Sequence, residues 1–162
     1  MEELIINTKT YTNLHKVAKQ YDQEMVGVLI GLRAKNYLYI FHARITGRGE
    51  STSVASEEKA IDAINYVLQK YPELDAITFH THPLALGPSW QERLSKGDIE
   101  NLKHEPNQRT VLVSGTGVYE FKLTSLGLSS PKRIKIQDLE LESLKLIEEW
   151  EAKVISEINS KF

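Results

Sequence analysis

The sequence predicts a mixed α/β domain: a single mixed β-sheet flanked by helices, with a long helix at the C-terminal end. Three observations predict it. Segments with helical spacing of apolar residues alternate with β-branched, strand-like runs along most of the chain. The length of 162 residues, 41% of them hydrophobic, suits one domain with a sizeable buried core. No internal repeat or low-complexity stretch interrupts the pattern.

The elements follow in chain order. Leu4, Ile5 and Ile6 read as a short first strand. Thr8 to Lys19 carries helical spacing through Tyr11, Leu14, Val17, Ala18 and Tyr21. Met25 to Leu32 and Tyr37 to Thr46 read as two strands joined by a tight turn at Ala34, Lys35 and Asn36. Gly47 to Ser56 is polar and rich in Gly and Ser, which predicts a loop. Glu57 and Glu58 then open a helix, where the dipole favours acids. Ile61, Ile64, Val67 and Leu68 face inward, and Pro72 stops the helix near Tyr71. Ala76 to His82 is a buried strand with two histidines at its end, and a loop follows from Pro83 to Leu94. A short helix runs from Ser95 to about Lys103, and Thr110 to Ser114 pairs with Val118 to Thr124 as a hairpin around Gly115, Thr116 and Gly117. Ser129, Ser130 and Pro131 make a break. Asp138 to Phe162 is an amphipathic helix with Leu144, Ile147, Val154, Ile158 and Phe162 on one side.

Composition removes several function classes. Twenty Lys and Arg against 22 Asp and Glu give a net charge of −2, which offers no field for nucleic acid or an anionic membrane. Lys132, Arg133 and Lys135 are too short a basic run to change this. The absence of cysteine excludes disulfides, thiolate zinc sites, cysteine nucleophiles and the cysteine-ligated zinc deaminases. Glu2 and Glu3 make an acidic start unlike a signal peptide, and the longest apolar run, Met25 to Leu32, is about a third of a membrane span. A cytoplasmic protein is expected.

The chemistry concentrates in His80-Thr81-His82-Pro83 and, further on, Ser95-Lys96-Gly97-Asp98. Alternate residues of a strand share a face, so His80 and His82 can turn both imidazoles to one ion. Asp98 supplies a third ligand. Two His and one Asp leave a tetrahedral zinc with a fourth position open to water, as in a catalytic site. Such an ion would bring the pKa of water from 15.7 toward about 7. Hydrolysis also needs a proton shuttle, and Glu24, ahead of the strand containing Gly27 and Gly31, is the candidate. Ser95 is positioned to donate to a developing oxyanion. Each piece has a plainer reading. Ser95 and Asp98 are also the signature of a helix start, and Ser89 is a rival for the serine role but lacks an Asp three residues later. His15, His42 and His104 have no partner at ligand spacing. Trp90 is either a hydrophobic plug or a substrate-facing aromatic.

Glu24-x-x-Gly27-x-Leu29-x-Gly31, then His80-Thr81-His82-Pro83, then Ser95-x-x-Asp98, in that order, closely resembles the JAMM (JAB/MPN-plus) zinc metallopeptidases. The resemblance spans roughly Leu4 to Thr124. It implies the cytidine-deaminase-like JAMM fold, with the peptidase domain at 1–128 and a C-terminal extension carrying the amphipathic helix at 129–162. It implies one zinc per chain on His80, His82 and Asp98, Glu24 as general acid/base and Ser95 as oxyanion stabiliser. The implied substrate is a ubiquitin-like modifier or its conjugates, cut after an extended Gly-Gly tail. A narrower variant trims the C-terminus of a sulfur-carrier protein. Members without the ligands are scaffolds, so a binding module that docks a partner or a second copy through the C-terminal helix is the other function class. This chain departs from the family in the eleven residues, Leu84 to Leu94, that separate Pro83 from Ser95. The segment from Glu50 to Val54 is either a plain connection or an edge strand that pairs with the modifier's tail.

Overall fold

The computed structural model describes residues 2–48, 58–105 and 107–161. In chain order they form β1 (Glu3–Ile6), α1 (Thr8–Gln20), β2 (Met25–Arg33), β3 (Tyr37–Arg48), α2 (Glu58–Lys70), β4 (Leu74–His82), α3 (Lys96–Leu102), β5 (Arg109–Ser114), β6 (Gly117–Thr124), β7 (Gly127–Leu128), β8 (Lys132–Arg133), β9 (Lys135–Ile136) and α4 (Leu141–Asn159). The mixed α/β architecture with a long C-terminal helix is as expected. The proposed tail-binding strand at Glu50 to Val54 lies outside the described residues.

One mixed sheet runs in the order β7-β6-β5-β4-β2-β3-β1-β9, with β8 also on β6. β1 is parallel to β3 and to β9, and β4 is parallel to β5. The remaining pairings are antiparallel. β8 and β9 are successive pieces of one segment, yet β8 pairs with β6 and β9 with β1. Between them Ile134 is buried and its amide donates to the Val118 carbonyl. The sheet therefore curls until one short segment bridges strands from its two halves. Arg109 assists: it pairs with buried Glu120 on β6 and donates from Nη2 to the Glu2 carbonyl at 3.0 Å.

Strand alternation divides the core. Leu29, Phe79, Val111 and Val113 pack toward α1, against Leu14 and Ala18. Val28, Ile30, Tyr39 and Phe41 lie on the opposite face, under α2 and α4. Ile147, Val154 and Ile158 are the buried residues of α4 in this layer and Trp150 packs against it, so the C-terminal helix shares the core of the rest. Lys70 on α2 and Glu157 on α4 join the two helices at 2.6 Å. Leu112, Tyr119 and Phe121 pack with Leu94 and with Leu102 of α3. Because Phe79 points to α1, alternation turns His80 and His82 the other way, into the space between the α2 and α3 layers. Among the described residues, no helix is long and apolar enough to cross a membrane.

The glycines of β2 set the position of the strand that follows Glu24. A Cβ on Gly27 would stand 2.1 Å from the Arg44 carbonyl oxygen and 2.7 Å from the Phe79 ring. The β2–β3 register also shifts between Val26 and Gly27. Gly27→Ala would force two backbones apart, at a cost of about 1–3 kcal/mol. Thermal denaturation should show a fall in melting temperature of roughly 2–12 °C, on the scaling for a domain of this size.

Candidate metal centre

Four side chains from three parts of the chain meet beyond the C-terminal end of β4. His80 and His82 are neighbours on the face of β4 turned away from α1, with ring centroids 5.0 Å apart. Glu24 precedes β2, whose Val26 pairs with His80, so the sheet register itself carries the carboxylate to the histidines. Thr81, 1% exposed, points the other way, and its hydroxyl accepts from the Met25 amide at 2.8 Å. That bond fixes the backbone immediately after Glu24.

Asp98 arrives through the start of α3. Ser95 is the N-cap: its Oγ accepts from the Asp98 amide at 3.1 Å, while the Asp98 carboxylate accepts from the Ser95 amide at 2.9 Å. This capping box stabilises the helix end and also locks the Asp98 rotamer. The same oxygen, Oδ2, lies 3.2 Å from His80 Nε2 and 3.1 Å from His82 Nε2. Glu24 Oε1 stands 3.3 Å from His82 Nε2. The residues expected to act together are thus brought together. Ser95 has the cap role that its spacing also predicted, and its hydroxyl hydrogen remains free to donate. The rival Ser89 lies exposed in a 3₁₀ turn, Pro88–Trp90, with no part in the cluster.

His82 has one partner that no motif announces. Its Nδ1 is 2.6 Å from the carbonyl oxygen of Trp90. A carbonyl only accepts, so Nδ1 carries the hydrogen, and Nε2 is the nitrogen that faces the two carboxylates. The Trp90 ring stands edge-on to His82 at 6.2 Å.

The electrostatics follow from burial of like and unlike charges in one place. Burial pushes the Glu24 carboxyl up, to about 7; the His82 ring opposes this and the Asp98 carboxylate adds to it. Burial acts the same way on Asp98, but the two imidazoles and the Ser95 amide outweigh it and hold that carboxyl well below the usual range. For His82, burial lowers the ring, and the bonds to Asp98 and Trp90 more than compensate. Glu24 Oε2 and His80 Nε2 are buried with no hydrogen-bond partner.

Ligand atoms held at 2.0–2.1 Å around a tetrahedral zinc lie about 3.3–3.4 Å from one another. The separations of 3.1, 3.2 and 3.3 Å are close to those edges. Glu24, His80 and His82 also offer ligand atoms that all lie within 4.8 Å of one another. Two ligand sets are therefore available on the same histidine pair, one completed by Asp98 and one by Glu24. By contrast, the apolar cavity lined by Val28, Ile61, Ile64, Leu68 and Ile77 abuts the first half of β4 and contains none of these groups.

Neither a protein-family model nor a curated protein matches the chain. Among solved structures it is similar to protein DSY2949 from Desulfitobacterium hafniense, with a TM-score of 0.62 and 16% identity over 86% of this chain and 96% of that one. At that identity the likeness is one of fold alone.

Proposed function

We propose that the protein is a zinc-dependent hydrolase of the JAMM type, cleaving the peptide or isopeptide bond that follows the C-terminal tail of a ubiquitin-like modifier. The observation that carries this reading is the orphaned His80 Nε2, buried 3.2 Å from the Asp98 carboxylate but not hydrogen-bonded to it. Two imidazole nitrogens face one carboxylate oxygen, and only that of His82 is hydrogen-bonded to it, an arrangement that would make a good set of ligands for a small cation. Nitrogen and carboxylate donors without thiolate suit zinc. His80, His82 and Asp98 would hold it, and bound there it would acidify water toward neutral pH and polarise a carbonyl.

The chain's own groups supply the rest. Glu24 has a carboxyl that burial pushes up to about 7 in the metal-free site and an Oε2 without a hydrogen-bond partner, and beside the ion it would take a proton from water and return it to a leaving amine. Ser95 holds Asp98 in place and offers its hydroxyl hydrogen to developing negative charge. A groove lined by Trp90, Arg93, Leu94, Ile99, Phe121 and Leu128 adjoins Ser95 and gives substrate a place beside the centre.

Elemental analysis of protein purified without added metal should find about one zinc per chain. Linear and isopeptide-linked fusions of a ubiquitin-like protein should be cut after the Gly-Gly tail, with cleavage abolished by a chelator and restored by zinc. A chain without metal, or one that cuts equally well in chelator, would overturn the reading in favour of a binding module.

A further inference from the structure

The long loop between β4 and α3 is organised by one buried side chain. Gln91 is 3% exposed in a segment whose neighbours Glu92 and Arg93 are exposed. Its Nε2 donates to the Pro83 carbonyl at 3.1 Å and to the Gly87 carbonyl at 3.2 Å. Its Oε1 accepts from the Gly115 amide at 2.9 Å. One amide therefore ties together the residue after His82, the middle of the loop and the β5–β6 turn. Both of its donors are used, so little freedom is left to it. Gly115 is part of the arrangement: a Cβ there would stand 2.1 Å from Leu84 and 3.3 Å from Gln91 Oε1.

Trp90 immediately precedes this clamp, and its carbonyl is the group that holds His82 Nδ1. Ring orientation in a metal-binding histidine is set by the partner of the nitrogen that does not bind. Here that partner is a loop carbonyl, and a loop of this length would otherwise let it wander by more than the tolerance of a 2.6 Å bond.

We propose that Gln91 is a positioning residue for the metal centre: by clamping the loop it fixes the Trp90 carbonyl on His82 Nδ1 and so aims Nε2 at the ion. This rests on the zinc-hydrolase reading for its purpose, but the clamp itself is observable without metal. The decisive variant is Gln91→Met, which keeps the volume and removes every side-chain hydrogen bond. Val67→Ala, a core truncation in α2, serves as a control for stability loss alone.

In the metal-free wild type, proton NMR should show a downfield, slowly exchanging His82 Nδ1–H. Gln91→Met should lose that signal, and Val67→Ala should keep it. In competition with a chromophoric chelator, Gln91→Met should bind zinc about 10–100-fold more weakly, and its cobalt-substituted form should give an altered visible spectrum. If Gln91→Met does not fold, Gln91→Asn, one methylene too short to reach all three partners, is expected to give the same losses. A Gln91 variant that folds and keeps both the Nδ1–H signal and full affinity would overturn the clamp. A wild type that shows the signal but binds no metal leaves the clamp standing and overturns the hydrolase reading.

Discussion

Glu24→Gln is expected to lower kcat by 10²–10⁴-fold, the contribution typical of a general acid/base, while leaving zinc affinity unchanged. The amide cannot accept a proton from water or deliver one to the leaving amine, yet it is nearly the same size as the carboxyl it replaces. Affinity is the deciding measurement, because Glu24 Oε1 is also at ligand-edge distance, 3.3 Å, from His82 Nε2. If Glu24 were the fourth ligand, Glu24→Gln would lose metal as severely as a histidine variant, and its assignment as proton shuttle would fail. The same substitution has a signature without metal. Folding raises the Glu24 carboxyl to about 7 from an ordinary value of 4.5. The native state thus binds this proton more tightly than the unfolded chain, and the stabilisation is complete at low pH and lost as pH rises through 7. In chelator, wild type and Glu24→Gln should differ little at pH 5. At pH 8 the variant should gain on the order of 3 kcal/mol, or roughly 6–12 °C in melting temperature relative to wild type.

How much of this was legible before the structure depends on what kind of group carries each role. His80, His82, Asp98 and Glu24 are chemically distinctive side chains, and strand alternation plus a helix cap are enough to predict that they can converge. The two glycines of β2 are visible in the sequence, and at Gly27 and Gly31 the Arg44 and Tyr39 carbonyls occupy the space a Cβ would need. The Trp90 carbonyl was invisible for the opposite reason. Every residue has a carbonyl, and only the folded path of the 83–94 loop selects one. Gln91 was equally silent, since a glutamine in a polar loop is ordinary until its burial is known. The two-residue strands β7, β8 and β9 carry no periodicity to detect, and the region around Ser129 to Pro131 read only as a break. Ile134 then joins the core through pairings to strands distant in sequence, which local pattern cannot reveal. The extension of β3 through Gly47 and Arg48 is similar: it follows from pairing with Val26 and Met25, against the local preference of glycine.

His82→Ala is expected to abolish stoichiometric zinc binding, with an affinity loss exceeding the 10–100-fold that follows from disturbing an outer partner. Of the ligand candidates, its Nε2 alone lies within 3.3 Å of both carboxylates, so removing it breaks either available ligand set. Asp98 offers a sharper comparison because it does two jobs. Asp98→Ala removes the ligand together with one half of the α3 capping box, so it should lose metal and also about 1 kcal/mol of stability. Asp98→Asn can still accept from the Ser95 amide through its carbonyl oxygen, which preserves the cap, but a neutral amide is a far weaker ligand than a carboxylate. Thermal denaturation with and without zinc separates the two roles. Wild type should gain about 2.7 kcal/mol from metal at a free concentration 100 times its Kd, and neither Asp98 variant should respond at that concentration. Without metal, Asp98→Asn should melt above Asp98→Ala, by the worth of the cap. Should Asp98→Asn retain the full zinc-dependent shift, the aspartate would be a helix cap alone, and the metal would have to rest on Glu24, His80 and His82.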